Sequence, residues 1–533
     1  MGDHRNMTPT FEMVEEIAVV FDRVLAADPD REALVTRRGR WSYGQLDDAC
    51  ARAAHVLASR GVGPGDRVAA ILPNEADIII AFHGAMRLGA VWVGINQALA
   101  PPEQAFLLAD SRAQLLLGDP DTITALNPQR VALGELEVIL DTDDWRGAMA
   151  SARPLRDLPP VDPTAAAGLA YTSGTTGRPK GAVHTQHNLL TPGAVLAQSR
   201  GYGPDLRKGD CLPLTILNMM VLTTLLTAQA GGTTVIMDQM YAEGVAEWIE
   251  RERVTVWNGP PPILHNLVHR DVAPSALATL REVWSGGAGL PEALRAEFAE
   301  KFGLPIIGTY GLSEAPTIVS IDPPDGRHRA GASGQVLAHL DVRILDDDGA
   351  PVPGDQVGEI CLAPRSDGPF AGWYRPPLGY WERAEQTADL LADGVVHTGD
   401  VGLVDSDGWL HISDRKNLII NRGGANVYPA EVERVLDSID GIAASAVTGL
   451  ADDRLGQRVV AVVQAEPGVE IGVDDILARC SLELARYKVP ERIIFAAALP
   501  RNAMGKIDRT AVAAIAAGAP PSAADHHHSA GQP

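Results

Sequence analysis

Residues 169–181 read LAYTSGTTGRPKG, in which a short apolar run leads into a loop rich in glycines and hydroxyl side chains. The loop ends on Lys180. Glycines allow backbone N–H groups to approach an anion, hydroxyls add hydrogen-bond donors, and the lysine adds positive charge. We interpret this stretch as a buried strand followed by a polyphosphate-binding loop. It is not a Walker A loop, because the GxxxxGK[S/T] spacing is absent.

Amphipathic stretches and short apolar runs alternate on both sides of this loop. Such alternation predicts an α/β fold with a large layered N-terminal domain of mostly parallel sheets. The predicted helices are Glu12–Leu25, Leu46–Arg60, Ala76–Leu88 and Glu292–Lys301, and the predicted strands are Arg67–Leu72, Val283–Ser285 and Pro305–Gly308.

The sequence changes character after about residue 330, where short strand-like pieces alternate with Asp/Gly turns. We therefore expect three parts. Residues 1–414 form the N-terminal domain, with a β-rich part at about 330–414. Residues 415–512 form a small mobile α+β domain, and residues 513–533 form a flexible tail.

The 533 residues carry 45 Lys and Arg against 68 Asp and Glu, a formal net charge of −23. This balance argues against a nucleic acid, whose phosphate backbone requires a basic surface. It also disfavours an anionic membrane surface. Any anionic ligand must therefore meet a few locally placed basic residues.

The cysteines and the longest uncharged stretch both favour a cytoplasmic protein without membrane insertion. Cys50, Cys211, Cys361 and Cys480 are far apart and form no CxxC pair, which argues against a disulfide framework or a structural zinc site. Residues 211–237 carry no charge, but proline, asparagine and a Gly-Gly pair interrupt them. We expect a buried helix followed by a buried strand there.

Further motifs follow the loop in order along the chain. They are Tyr310-Gly311-Leu312-Ser313-Glu314, His397-Thr398-Gly399-Asp400, Asp414-Arg415-Lys416, 423–429 (GGANVYP), Glu431-Val432-Glu433 and 500–506 (PRNAMGK). Together with the loop they resemble the motifs of the adenylate-forming superfamily, which includes acyl-CoA synthetases, adenylation domains and luciferase-like enzymes. The resemblance covers about residues 11–512, with Ser313 where threonine is commoner.

The resemblance implies an acyl-CoA ligase that uses ATP, Mg²⁺ and coenzyme A. Its catalytic residues would be Lys506, Glu314 and Lys180, and Glu314 would also bind Mg²⁺. The residues implied to bind ATP or AMP are Thr172, Ser173, Gly174, Thr175, Thr176, Gly177, Lys180, Gly287, Ala288, Tyr310, Gly311, Ser313, Asp400 and Arg415.

The acyl pocket would include Asn218, Met219, Gly286 and Gly308, which are small or flexible residues. Such a wall favours a bulky or long apolar acid. In the second half-reaction the C-terminal domain would rotate about a hinge at Asn417. It would then present Gly423 and Gly424 to CoA, whose thiol expels AMP.

Two departures from the family pattern leave alternatives open. Relatives often carry an aromatic pair, Phe-His or similar, where this chain has Thr215-Ile216, and the hinge residue Asn417 is uncharged. One alternative is an enzyme that performs mainly or only thioesterification, on an acyl-adenylate supplied by a separate adenylating partner enzyme. Others are a standalone enzyme that loads a carrier-protein thiol and a non-catalytic acyl- or nucleotide-binding protein. A homodimer is also left open.

Overall fold

The computed structural model describes residues 13–127, 135–172, 179–287, 290–315, 317–354, 356–415, 418–422, 425–452, 456–484, 486–501 and 506–518. The chain folds into two compact units. The first comprises residues 1–343, 361–398 and 404–410, and the second comprises 344–360, 399–403 and 411–533. The predicted domain boundary at 414/415 stays a prediction.

Strands and helices alternate through most of the first unit, and those of both units are numbered together along the chain. The strands are β1 (Glu32–Val35), β2 (Arg40–Ser42), β3 (Arg67–Ile71), β4 (Val91–Gly94), β5 (Leu115–Gly118), β6 (Val138–Asp141), β7 (Ala166–Thr172), β8 (Lys180–Thr185), β9 (Arg207–Asp210), β10 (Thr233–Ile236), β11 (Val256–Asn258), β12 (Glu282–Gly286), β13 (Ile306–Leu312), β14 (Thr317–Ile321), β15 (Gln335–Val336), β16 (Leu340–Leu345), β17 (Gly358–Pro364), β18 (Gly379–Tyr380), β19 (Val396–Val404), β20 (Leu410–Arg415), β21 (Ile420–Arg422), β22 (Ala425–Val427), β23 (Ile442–Asp452), β24 (Gly456–Ala465) and β25 (Arg492–Phe495).

The helices are α1 (Asp22–Ala27), α2 (Tyr43–Ala58), α3 (Ala76–Arg87), α4 (Pro101–Asp110), α5 (Pro120–Leu126), α6 (Thr142–Ser151), α7 (Gln186–Ser199), α8 (Leu217–Met219), α9 (Leu226–Ala230), α10 (Ala242–Glu252), α11 (Pro261–His269), α12 (Glu292–Phe302), α13 (Ala384–Leu390), α14 (Pro429–Leu436), α15 (Val473–Glu483) and α16 (Arg509–Ala516). Short 3₁₀ turns cover Ile17–Val19, Pro274–Leu277 and Ala392–Gly394. A π-helical turn covers Met220–Leu225.

Two large sheets form the first unit. One has the strand order β15-β14-β13-β12-β11-β9-β10-β1-β2, and the other has the order β18-β8-β7-β4-β3-β5-β6. Their central strands pair in parallel, whereas β2, β14, β15, β8 and β18 pair antiparallel at or near the edges. This arrangement confirms the predicted α/β class with mostly parallel sheets.

Two smaller sheets complete the described fold. A four-stranded sheet has the order β16-β17-β19-β20, and the second unit contains the sheet β22-β21-β24-β23, with β25 beside β24. Helix α14 packs on β23, and α16 packs on both β23 and β24. Helix α16 runs to Ala516, so its last turn lies inside the segment predicted as a tail. Residues 519–533 lie outside the described part of the chain.

Local sequence explains where helix α2 begins. Helix α2 starts at a capping box, in which the Ser42 side chain accepts from the Gln45 N–H while the Gln45 side chain accepts from the Ser42 N–H. Its inner face is apolar and buried.

The helix predicted over residues 12–25 does not form as one continuous helix. A 3₁₀ turn (Ile17–Val19) and α1 form instead, so this prediction is wrong. There the Ile17 N–H donates to Gln186 Oε1 at 2.7 Å, so tertiary contacts shape the segment.

The uncharged stretch 211–237 forms a buried helix and then a buried strand, as predicted. The helix is interrupted, because the π-helical turn lies between α8 and α9. The Thr223 hydroxyl in that turn donates to the buried Asp210 carboxylate at 2.7 Å. Gly231 then ends α9 in a left-handed conformation (φ +73°). None of the described helices combines the length and the apolar character that a bilayer crossing requires.

Glycines in the central strands allow the segment before α8 to lie directly on the seven-stranded sheet. A Cβ atom at Gly94 on β4 would overlap the carbonyl oxygen of Thr215. A Cβ atom at Gly168 on β7 would lie 2.9 Å from Cδ2 of Leu217. The position of Thr215 and Ile216, where this chain departs from the family pattern, is therefore set by backbone contact with the sheet.

We expect Gly94→Ala to lower the melting temperature, because the new methyl group meets backbone rather than a flexible side chain. Overpacking of this kind costs about 1–3 kcal/mol. Gly147→Ala is the matched control, since Gly147 lies in α6 with nothing within 4 Å of its added Cβ. In a helix that change should be neutral or stabilising by about 0.5–1 kcal/mol. Equal melting temperatures for the two variants, measured by circular dichroism, would contradict the contact.

Candidate active site

The two ends of the predicted phosphate loop are neighbours in the structure. Thr172 ends β7 and Lys180 begins β8, and the two residues face each other across an antiparallel pair. The loop residues Ser173, Gly174, Thr175, Thr176 and Gly177 lie outside the described part of the chain. Because the flanking strands are paired, the loop starts and finishes at one place on the sheet.

Glu314 follows β13 of the other large sheet and reaches the same place. Its Oε1 atom accepts from the Thr172 hydroxyl at 3.4 Å and from the Tyr380 hydroxyl at 2.8 Å. Thr172 and Tyr380 both belong to the seven-stranded sheet. The carboxylate of Glu314 therefore joins the two large sheets at the end of the predicted phosphate loop.

A buried histidine fixes the residue before Glu314. His184 Nε2 lies 2.6 Å from the carbonyl oxygen of Ser313, a distance at which the ring N–H donates. Burial lowers the pKa of His184, so its imidazole is kept neutral. His184 is four residues after Lys180 on β8, and alternate residues of a strand share a face. One face of β8 thus carries both the predicted phosphate-binding lysine and the residue that holds Ser313.

Tyr380 is a residue that the sequence interpretation did not select. Besides its bond to Glu314, its ring lies under the Lys180 ammonium, with Nζ 5.3 Å from the ring centroid. Such a cation–π contact is favourable in a partly buried site. One local signal was present, namely the Gly379-Tyr380-Trp381 run after a loop, but nothing in the sequence connects Tyr380 to Glu314.

The predicted acyl-pocket glycines lie on opposite faces of the strand pair β12/β13. Gly286 and Thr309 are paired in parallel register, and a Cβ atom at Gly286 would overlap Thr309 Oγ1. A Cβ atom at Gly308 would instead lie 2.5 Å from Arg295 Nη2 and 3.0 Å from Asp322 Oδ2. Thr309, which the sequence interpretation missed, therefore lies on the Gly286 side, whereas Gly308 lies against a buried ion pair.

The other predicted pocket and nucleotide residues that the structure describes in the first unit lie on α8, on β13 or in the turns that follow β12 and β13. Asn218 and Met219 are half-buried in α8, and Met219 packs against two hydrophobic clusters. Tyr310 and Gly311 continue β13 and are also half-buried. Gly287 is exposed with a φ of +78°, a conformation that favours glycine. Ala288 lies outside the described residues.

Three of the predicted site residues in the second unit belong to the described part of the chain. Asp400 is buried on β19, next to Gly399, whose φ is +70° and whose N–H donates to Glu359 Oε1 at 3.2 Å. Arg415 is the last residue of β20. Lys506 is exposed, beside a β-bridge between Arg501 and Ile507. Asn417, Gly423 and Gly424 lie outside the described residues.

Comparison with known families yields two matches along the chain. A family model described as AMP-binding enzyme matches residues 21–374. A second model, described as AMP-binding enzyme C-terminal domain, matches residues 431–506. The two matches include Lys180, Glu314 and Lys506.

Individual relatives agree with these matches. A long-chain-fatty-acid–CoA ligase of Mycobacterium tuberculosis is 35% identical over 488 residues, which cover 88% of this chain and 92% of the relative. A feruloyl-CoA synthase of an Amycolatopsis species is 36% identical over 477 residues, with coverages of 87% and 92%. The crystal structure of ATP-bound MatB from Rhodopseudomonas palustris superposes with a TM-score of 0.84 at 28% identity, over 93% of this chain and 98% of that one.

The contact between Gly286 and Thr309 makes a prediction about paired substitutions. Gly286→Ala should lower the melting temperature, and adding Thr309→Gly should restore part of the loss by removing the side chain that the methyl group meets. The control is Gly308→Ala, whose methyl group meets Arg295 on the other face. Thr309→Gly should not rescue that variant. Rescue of both variants, or of neither, in thermal melts would contradict the assignment of the two faces.

Proposed function

Because the chain belongs to the AMP-binding enzymes, we propose that it activates a bulky or long apolar carboxylic acid with ATP and then transfers the acyl group to CoA. The chain is an ATP-dependent, AMP-forming acid–thiol ligase that activates its acid as an adenylate. The observation that carries the proposal is the meeting of Thr172, Lys180 and Glu314 at the end of one loop.

In the first half-reaction a carboxylate oxygen of the acid attacks the α-phosphorus of ATP. The new P–O bond forms as the bond to pyrophosphate breaks. Both reactants are anions, so the protein must position them and neutralise the charge that develops. We assign the β- and γ-phosphates to Lys180 and the 173–177 loop, the ribose to Asp400, the α-phosphate to Arg415, and the attacking carboxylate together with the α-phosphate to Lys506.

A magnesium ion fits the donor set at the loop. The Glu314 carboxylate lies beside the hydroxyl oxygens of Thr172 and Tyr380, and Mg²⁺ prefers hard oxygen ligands together with phosphate oxygens. We therefore assign the protein's contribution to the ion to Glu314. When bound, the ion supplies positive charge to the phosphates.

In the second half-reaction the CoA thiolate attacks the acyl carbon of the adenylate. A C–S bond forms, the C–O bond to the phosphate breaks, and AMP leaves with the electron pair. We assign Gly423 and Gly424 to the CoA side of the site. We also assign residues 415–512 to a mobile domain that carries Lys506, with its hinge at Asn417.

The choice of acid class rests on the wall of the expected pocket. Residues 211–237, which include Asn218 and Met219, carry no charge that could bind a second ionic group of the acid. Thr309 adds one small side chain beside Gly286. Relatives named for long-chain fatty acids and for ferulate, an aromatic acid, support apolar acids of both shapes.

A second candidate is an enzyme that mainly thioesterifies a supplied adenylate. It is favoured by Thr215 and Ile216, which stand where relatives often have the Phe-His pair. Thr215 is buried, and the hydroxyl of its side chain has no hydrogen-bond partner among the described residues. This segment therefore offers no imidazole to orient ATP and the carboxylate, and adenylation would be slow.

The decisive measurement is a mass-spectrometric screen of an acid library with ATP, Mg²⁺ and CoA, in which acyl-AMP and acyl-CoA are scored separately. Fatty acids of graded length, arylpropenoic acids and short dicarboxylic acids form the arms. We expect acyl-CoA from apolar acids and none from dicarboxylic acids. Turnover confined to dicarboxylic or amino acids would contradict the proposed substrate class.

Lys506→Ala should separate the two half-reactions. We expect ATP–pyrophosphate exchange with the cognate acid to fall by about a hundredfold or more, because an uncompensated charge is left in the transition state. Conversion of a supplied acyl-adenylate and CoA into acyl-CoA should persist. The control is Arg479→Ala, which removes an exposed cation from α15 of the same unit. Unchanged exchange in Lys506→Ala would overturn the assignment, and absent exchange in the unmodified protein would favour the second candidate.

A further inference from the structure

Tyr380 contacts two groups of opposite charge that belong to the proposed site. Its hydroxyl donates to Glu314 Oε1 at 2.8 Å, and its ring faces the Lys180 ammonium at 5.3 Å from the centroid. Lys180 and Glu314 are both described residues, and no ion pair joins them there. The phenol side chain contacts both charged groups instead.

A direct pair between Lys180 and Glu314 would oppose the proposed chemistry. Oppositely charged groups in contact attract strongly in a partly buried site. The lysine would then be neutralised before phosphate arrives, and the carboxylate would be neutralised before a cation arrives. The Tyr380 side chain is neutral, so it leaves the charges of Lys180 and Glu314 uncompensated. The face of its ring attracts the ammonium, and its hydroxyl donates to the carboxylate.

The hydrogen bonds to Glu314 also orient its carboxylate. Thr172 and Tyr380 both donate to Oε1. Within the described part of the chain, no donor contacts Oε2. The carboxylate is therefore held by one oxygen while the other keeps its lone pairs for a cation.

The surroundings of Tyr380 hold it rigidly. Its N–H donates to Thr387 Oγ1 at 2.9 Å, and the preceding Gly379 has a φ of +112° with no room for a Cβ beside Thr387. Tyr380 also pairs with Ala182 of β8, two residues after Lys180. The strand that carries the lysine thus also fixes the tyrosine backbone.

The residues after Tyr380 anchor the segment a second time. Trp381 Nε1 donates to the carbonyl oxygen of Asp110 at 3.1 Å, and Arg383 forms an ion pair with the Asp110 carboxylate, which is largely buried. The ring of Trp381 is further covered by the Arg67 guanidinium, 5.6 Å from the ring centroid. A side chain held this firmly can act as a spacer, because its position does not adjust to its neighbours.

We propose that Tyr380 is a positioning residue that keeps Lys180 and Glu314 apart and orients the Glu314 carboxylate for a divalent cation. This role rests on the proposed function, because it presumes that metal and nucleotide bind at Glu314 and Lys180. Tyr380 itself touches neither reacting group. It acts on binding through the two charged side chains.

The test uses the full chain, Mn²⁺ as the spectroscopic probe and α,β-methylene-ATP, which cannot release pyrophosphate. Electron paramagnetic resonance measures Mn²⁺ affinity in the presence of the analogue, and calorimetry measures affinity for the analogue without metal. Tyr380→Phe keeps the ring but loses the bond to Glu314. We expect Mn²⁺ affinity to fall about tenfold, as for a lost hydrogen bond to a charged group, with metal-free nucleotide affinity unchanged.

Tyr380→Leu removes the ring as well, so Lys180 can reach Glu314. We expect both affinities to fall in this variant. The matched control is Tyr43→Phe, which removes a buried tyrosine hydroxyl that donates to the carbonyl oxygen of Gly232 at 2.8 Å rather than to Glu314. It should leave both affinities unchanged.

A double-mutant cycle separates this role from a general effect on folding. If Tyr380 acts through Glu314, then Tyr380→Phe should have no further effect on Mn²⁺ affinity in a Glu314→Gln background. Additive losses, or a Tyr380→Phe variant with native Mn²⁺ affinity, would overturn the role of Tyr380 alone. If the unmodified protein bound neither the analogue nor Mn²⁺, the proposed function itself would fail.

Discussion

The antiparallel pairing of Thr172 with Lys180 is the constraint on which the rest of the candidate site depends. It brings both ends of the glycine-rich loop to one point on the seven-stranded sheet. Glu314, delivered by a strand of the nine-stranded sheet, meets that point through Thr172 and Tyr380. Hydrogen bonds to one carboxylate therefore link the two sheets at this point. An error in the register of β8 would displace Lys180, His184 and the backbone partner of Tyr380 together.

The strongly negative net charge of −23 is compatible with anionic substrates because charge is organised locally. Most of the first unit's arginines that the structure describes are already paired, as Arg87 is with Asp47 and Arg200 is with Glu282. Lys180 differs, since an aromatic ring rather than a carboxylate faces it. Few cations are therefore proposed to contact ATP. The described acidic residues of the chain do not neutralise the charge of Lys180 before ATP binds.

The sequence predicted the fold class and most element positions because hydrophobic period and Gly/Pro punctuation are local signals. Helices α2 and α3 and strands β3 and β12 lie within about three residues of their predicted bounds. The element predictions that failed did so because tertiary contacts decide the local structure there. The segment before α1 is shaped by a hydrogen bond to Gln186, and β13 runs on to Leu312.

The candidate site could be predicted only in part. Motifs pointed to Lys180 and Glu314, but Tyr380 is 66 residues from Glu314, and only folding brings them together. Likewise, only strand register could show that Gly286 neighbours Thr309 while Gly308 faces Arg295.

The π-helical turn at Met220–Leu225 has an evolutionary consequence. Such a turn holds one residue more than the α-helical turn it replaces. Deleting a single codon within it would convert the turn to regular helix and rotate the preceding α8 by about 100° relative to α9. Asn218 and Met219 would then exchange places with neighbouring side chains while Thr227 and the strand beyond stayed in register. A lineage could in this way change the lining of the proposed acyl pocket in one step without disturbing the sheet that carries both ends of the proposed phosphate loop.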